Sequence, residues 1–321
     1  MVSSALHRSH APLSLALGVA ARQHGLLTWA QARSCGLTRG DVRRLVRRQE
    51  WRRRLPRVYA VRALTDGGDE AERLRQAVMA AQLALGPAAF AGTHTAARLW
   101  GLQGLRPWDG QEVHMVVPAP AAQRQITGIR LHTWDTAPEE VARTGSGLRL
   151  TTPGRTLRDL LLDVDRATAV CLLDSALHQR LVRAEDLAAL EAANRWRRGC
   201  RRSRPWWSLA DGRAQSPLET RVRLVCVDGG LPPSDLQHPF HDERGNLLAR
   251  VDFWWADRRL VGEADGLGPH SLPEALARDR VRQNALQAHV PGVRIVRFTW
   301  EDLKRPGYIL ATVAGAGGGV R

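Results

Sequence analysis

Four acidic residues and one histidine in the last third of the chain have the types and spacing for hydrolysis of a phosphodiester. Asp252 interrupts an otherwise apolar run, LLARVDFWW, at 247–255. Glu263 and Asp265 follow in RLVGEADG. Strand alternation puts Val251, Phe253 and Trp255 on one face, and Asp252 and Trp254 on the other. It puts Glu263 and Asp265 together on a single face. A turn at Asp257-Arg258 makes these strands antiparallel neighbours, so Asp252 and Glu263 lie side by side. Clustered carboxylates repel unless a cation neutralises them. Hard oxygen ligands suit Mg²⁺, and a bound Mg²⁺ activates water. Asp252, Glu263 and Asp265 are therefore the candidate metal ligands. Asp252, Glu263 and Glu219 are the candidate catalytic acids. His270, five residues past Asp265, is the candidate general acid or base. The plainer alternative pairs Asp252 and Glu263 with arginines such as Arg250 or Arg297.

The elements around these residues are legible. Ser216-Pro217-Leu218-Glu219 starts a helix with a serine cap, proline at N1 and glutamate at N3. It runs to Val227. Strands are expected at 236–241, 247–255, 259–264 and 293–298, with a helix at 273–288 before the last. The order is αβββαβ, and a final helix begins over Trp300–Leu303.

The chain of 321 residues carries a net charge of +15. Of its 47 basic residues, 46 are arginine; Lys304 is the one lysine. GC-rich codon usage accounts for arginine in place of lysine. It does not account for the excess charge, which points to a polyanionic partner. Near-absence of lysine also removes Schiff-base, P-loop and lysine-base chemistry from almost every position.

Much of that charge is local. Residues 22–62 hold twelve arginines against Asp41 and Glu50. Helices are expected at 14–23, 28–35 and 39–49, then extended pieces at 51–55 and 57–61 around Pro56. Thr28 and Thr38 are the candidate N-caps. Val42, Leu45 and Val46 form one apolar face. Three helices and a basic hairpin are the plan of a winged helix, whose third helix enters a major groove. Arg39, Arg43, Arg44, Arg47 and Arg48 are the expected DNA contacts on that helix, with Arg52, Arg53 and Arg54 on the wing.

The middle, 70–194, reads as α/β. Helices are expected at 70–85, 93–100, 153–163, 166–181 and 185–193, with strands at 111–118 and 126–134. His94, His114 and His132 match no metal-ligand spacing. Residues 195–204, RWRRGCRRSR, hold six arginines and no acid, followed by Trp206 and Trp207. Basic residues interleaved with tryptophan suit contact with single strands or backbone. The favoured reading docks the tryptophans into a neighbouring domain instead. The four cysteines form no CxxC pair, which disfavours zinc fingers and a disulfide scaffold and makes a reduced cytoplasm the default. No apolar run is long enough for a membrane span. The apolar stretch 11–21 is broken by Pro12 and Ser14, so no signal peptide is expected. No heptad or apolar patch fixes an oligomeric state.

Two resemblances cover most of the chain. SPLE, VDFWW, VGEADG, RDRVRQNAL and VRIVRFTWEDL, within 216–305, resemble the DUF559 family. That family is similar to very-short-patch-repair endonucleases of the restriction-endonuclease-like PD-(D/E)xK superfamily. GLLTWAQARSCGLTRGDVRRLV, RVYAV, THTAARLWGL and TTPGRTLRDLL are similar to AbiEi-type antitoxins of toxin–antitoxin systems. The resemblance implies a winged helix that binds DNA and Glu219, Asp252 and Glu263 at acidic motif positions. The usual signature ends in E-x-K; here Asp265 takes the lysine position. The repair endonucleases also lack that lysine and use a nearby histidine, a role His270 could fill.

The expected fold is mixed α+β and multidomain: a winged helix at 1–65, an antitoxin-like α/β segment at 66–194, a basic linker at 195–210 and a restriction-endonuclease-like domain at 211–321. The expected function is that of a cytoplasmic, antitoxin-like transcriptional regulator. It binds double-stranded DNA, has a cognate toxin as candidate partner, makes no membrane contact, and needs Mg²⁺ only if its nuclease-like domain is active. The alternatives are a Mg²⁺-dependent DNA endonuclease and a non-catalytic protein-interaction module.

Overall fold

A computed structural model describes residues 3–118, 125–266, 284 and 286–316. The fold is mixed α+β and divides into two compact units, Met1–Leu160 and Leu161–Arg321. The boundary expected at 194/195 falls inside the second unit.

The first unit opens with α1 (Ser3–Ala21), β1 (Leu26–Thr28), α2 (Trp29–Ser34), α3 (Arg39–Arg47), β2 (Trp51–Leu55) and β3 (Val58–Val61). Both threonine caps form. Thr28 Oγ1 accepts from Gln31 N while Gln31 Oε1 takes the Thr28 N–H. Thr38 and Asp41 exchange the same two bonds. Each closed box satisfies two of the orphan donors at a helix start. Between the helices, Gly36 at φ 93° turns the chain. The apolar stripe expected on α3 is buried at Val42 and Leu45, with Trp51, Leu27 and Ala16.

One element was not expected. The three residues of β1 pair antiparallel with β3, Leu26 against Ala60 and Thr28 against Val58. The sheet order is β1-β3-β2, so the wing is a three-stranded sheet, with β2 at its edge.

After the short α4 (Arg62–Thr65), the unit continues with α5 (Glu70–Leu85), β4 (Phe90–Ala91), α6 (Thr93–Leu99), β5 (Val113–Val116), β6 (Ile129–His132), β7 (Val141–Arg143), β8 (Arg149–Thr151) and α7 (Pro153–Leu160). Five strands form a mixed sheet in the order β6-β5-β4-β8-β7. Leu74, Val78 and Ala81 of α5 share a core with Met115 and Leu150 of this sheet and with Leu26 and Val58 of the wing. The TTPGRTLRDLL segment is structural here. Arg155 holds Asp159 at 2.9 Å and also binds Glu140, which in turn binds Arg158.

The second unit contains α8 (Arg166–His178), α9 (Leu187–Ala192), α10 (Cys200–Ser203), α11 (Pro217–Asp228), β9 (Asp235–His241), β10 (Leu247–Trp255), β11 (Leu260–Ala264), β12 (Arg294–Phe298) and α12 (Pro306–Gly315). Its sheet order is β12-β11-β10-β9, with β11 and β12 parallel and the other pairs antiparallel. Leu218, Val222 and Cys226 of α11 and Ile309 and Val313 of α12 pack with Phe253 and Trp255. Gly262 stands across from Phe253; a Cβ there would meet the Trp255 ring at 2.9 Å, so only glycine admits both aromatics. The final helix starts at Pro306, later than expected; a short 3₁₀ turn, Asp302–Lys304, precedes it. In that turn Lys304 Nζ lies 2.7 Å from Glu301. The helix expected at 273–288 lies outside the described residues except at 284 and 286–288.

Helix α8 belongs with this unit for a physical reason. Asp174 is buried on α8 and takes an ion pair from Arg223 on α11 at 2.7 Å. Thr220 Oγ1 and the Asp211 N–H also donate to it. A buried carboxylate is tolerable only with such a set of donors.

Candidate functional site

The second unit brings Glu219 and Asp252 together, through a residue that sequence reasoning did not select. Ser216 caps α11 by accepting from Glu219 N. The Glu219 side chain does not close a box with Ser216. It accepts from the Gln215 N–H at 2.9 Å and from Gln237 Nε2 at 3.0 Å. The same Gln237 nitrogen donates to Asp252 Oδ1 at 2.9 Å. One amide therefore uses both its hydrogens to bridge two acids.

Gln237 reaches them from an unusual backbone. Its φ is 53°, left-handed, inside β9. The strand pairing is continuous on either side, Leu236 with Phe253 and His238 with Val251. Side-chain alternation is not. Phe253 and Trp255 lie in the α11–α12 core, whereas Val251 lies with Ala249, Trp254 and Val261 in the core on the other face. The expectation that Val251, Phe253 and Trp255 share a face is thus corrected. Gln237, the left-handed residue, stands opposite Asp252 in this register, where the alternation of β10 restarts out of phase. Such conformations cost about 1–3 kcal/mol and concentrate at functional sites.

The β10–β11 ladder ends with Phe253 against Gly262. One step further in that register, Asp252 stands across from Glu263. There the Asp252 carboxylate replaces the ladder: its Oδ2 accepts the Ala264 N–H at 2.8 Å. Glu219 is 6% exposed. Burial pushes its carboxyl above the ordinary range; the Asp252 charge adds to the push, and the Gln215 N–H opposes it.

Glu263 pairs in register with Arg297 of β12, and Asp265 has Arg297 Nη1 at 3.8 Å. His270 lies outside the described residues. Among the described residues, no group of three His, Cys, Asp or Glu side chains is arranged to hold a metal ion. Asp252 already commits one oxygen to Gln237 and the other to Ala264. Each oxygen accepts one of these bonds and keeps a further lone pair. His238 is a second residue that sequence reasoning missed. It lies 2.9 Å from Asp235 and stacks on Trp254 with centroids 5.9 Å apart.

In the first unit, all eight expected DNA-contacting arginines are exposed. Arg44 pairs with Asp41 at 2.7 Å, Arg52 with Asp66 at 3.6 Å, and Arg48 lies 4.0 Å from Glu50. Among the described residues, Arg39, Arg43, Arg47, Arg53 and Arg54 have no carboxylate within ion-pair distance. Pro56 and Arg57, the latter at φ 64°, turn the hairpin tip.

The three histidines that match no ligand spacing in sequence are brought together by the fold. The parallel pairing of β5 and β6 stacks His114 on His132 with centroids 5.2 Å apart, and His94 lies 5.1 Å from His114. Burial, with help from the neighbouring histidines and arginines, lowers the His114 pKa to about 3.

Two proteins of Mycobacterium tuberculosis are similar to this chain. They are Uncharacterized protein MT2308, of strain CDC 1551 / Oshkosh, and Uncharacterized protein Rv2248, of strain ATCC 25618 / H37Rv. Each is 33% identical over 229 residues, which is 70% of this chain and 82% of the relative. The chain belongs to the family of these two proteins. No family model matches it. No helix among the described residues is long and apolar enough to cross a membrane.

Proposed function

We propose that the chain is a cytoplasmic DNA-binding protein, an antitoxin-like transcriptional regulator whose nuclease-like domain serves binding rather than turnover. The observation that carries this reading is the winged-helix order α1-β1-α2-α3-β2-β3 with exposed arginines along α3 and β2. Five of them have no carboxylate partner among the described residues. Their charge is thus available to phosphates, which supply most non-specific DNA affinity. A cognate toxin is the partner that the antitoxin resemblance implies.

A salt titration of duplex affinity tests this. Each lost phosphate contact lowers the slope of log K against log salt by roughly 0.9. The variant R43A/R47A/R53A is expected to flatten the slope by several such steps. A wild-type affinity that ignores salt would remove the DNA reading.

One observation favours a second reading, a Mg²⁺-dependent DNA endonuclease. Gln237 is held in a costly backbone conformation between two acids, as functional residues often are. Plasmid incubated with Mg²⁺ and wild-type protein, beside Asp252→Ala, decides between them. Nicking by the wild type alone would establish the enzyme; equal nicking by both would attribute it to contamination.

A further inference from the structure

Trp196 is 95% exposed. Its backbone is left-handed at φ 68°, a conformation that strains a bulky side chain. Nothing about folding favours either fact. A tryptophan gains by burial, and glycine or asparagine would fill the position with less strain.

The loop that presents it is firmly held. The Arg197 N–H donates to the Asn194 carbonyl at 3.1 Å, and Arg197 Nη1 donates to Asn194 Oδ1 at 2.9 Å. Asn194 itself is buried. Gly199 closes the loop at φ 92°, so near the Leu162 carbonyl that a Cβ would lie 2.8 Å from that oxygen. Trp196 thus projects from a fixed turn. The nearby Trp206 and Trp207 do the opposite: both are buried, and Arg202 lies over the Trp206 ring at 5.4 Å. They are buried within the second unit rather than in a neighbouring domain; Trp196 is exposed.

Its surroundings are cationic. A shallow pocket that Trp196 helps to line also has Arg195, Arg198 and Arg201 on its wall, with Glu191 as its sole acid. Glu191 lies 3.5 Å from Arg204. A flat ring open to solvent beside several guanidinium groups matches a strand that offers both base faces and phosphates. A duplex hides its base faces. An acidic peptide would satisfy the arginines and leave the ring unused.

We propose that Trp196 and its arginines form a binding site for single-stranded DNA, with an unpaired base stacked on the indole. This site is carried by different residues from the winged helix and does not depend on that reading.

The test uses the full chain carrying R43A/R47A/R53A, so that the winged helix does not dominate. Its affinity for a labelled oligothymidylate is measured by fluorescence anisotropy. Stacking contributes about 5- to 150-fold per base, so Trp196→Ala is expected to weaken binding by roughly tenfold or more, and Trp196→Phe to restore most of it. An abasic strand of equal length is expected to bind as weakly as the alanine variant binds oligothymidylate. Trp196→Gly is expected to lose binding yet unfold at or above the parent's midpoint, because glycine relieves the backbone. Equal affinity of parent and alanine variant would overturn the proposal. So would equal affinity for the abasic strand, or for polyglutamate. Duplex binding of Trp196→Ala in the otherwise wild-type chain is expected to be unchanged. A chain that fails to bind duplex but shows Trp196-dependent oligothymidylate binding retires the winged-helix reading and leaves this one standing.

Discussion

Gln237 donates to Asp252 at 2.9 Å from a left-handed backbone, and its second hydrogen goes to Glu219. Gln237→Leu keeps the bulk and removes both donors. It leaves two acids facing each other, one of them buried. A loss of about 1–3 kcal/mol is expected at pH 7 in urea unfolding. Glu219 has a raised pKa in the folded protein. Its protonated form is therefore favoured by folding, and that contribution is present at low pH and lost as pH rises through the folded value. The penalty of Gln237→Leu should accordingly shrink as the pH is lowered from 7. A penalty that grows on acidification would remove the bridge as its cause.

The Asp174–Arg223 pair supplies a larger effect. Both side chains are buried, at 2% and 9% exposure. Arg223→Met leaves a buried carboxylate without its cation, which costs about 3–5 kcal/mol. Thermal unfolding should show it. The double variant Asp174→Leu/Arg223→Met removes both charges and should recover much of the loss. Additive losses would show that the two residues act independently.

Acid sensitivity is expected in the first unit. The His114 pKa is about 3 when folded, against an ordinary histidine value of 6.5. The unfolded chain binds the proton more readily in that window, so stability falls as pH drops below 6.5. One pH unit of full linkage is worth about 1.4 kcal/mol. His114→Gln should lose about 1–2 kcal/mol less than wild type between pH 6.5 and 5. Parallel stability curves would show that His114 is not responsible.

The caps of the winged helix make a local prediction. Thr38→Ala removes the side chain that accepts from Asp41 N and is expected to cost about 1 kcal/mol. Hydrogen exchange should quicken first in α3. Duplex affinity should weaken with it, since Arg43 and Arg47 depend on that helix for their spacing. Unchanged exchange along α3 would mean that its packing through Val42 and Leu45, not its cap, sets its stability.

What the sequence revealed depended on how local the signal was. Both threonine caps and the stripe on α3 were readable because each is completed within one turn. Strand β1 was not; three residues carry no usable period, and β1 exists only by pairing with β3. The two- and three-residue strands β4, β7 and β8 were missed for the same reason. In the site, Asp252 stood out as a charge in an apolar strand. Gln237 did not, because a positive φ within a strand leaves no trace in residue type. The phase change that moves Val251 to the other face lies at the Gln237–Asp252 position and is equally silent in residue type. His114 and His132 are eighteen positions apart, and only the parallel pairing of β5 and β6 stacks them.

Lys304 carries the chain's only ε-amine, exposed beside Glu301. Amine-directed dyes and cross-linkers therefore have one lysine to find, just ahead of α12, far along the chain from the arginines of α3 and the wing. Acetyl, methyl or ubiquitin transfer to lysine has the same single acceptor. Guanidinium groups stay charged at any physiological pH. Lysine modification and physiological pH thus leave the arginine charge of this protein unchanged, whereas salt and competing polyanions screen it.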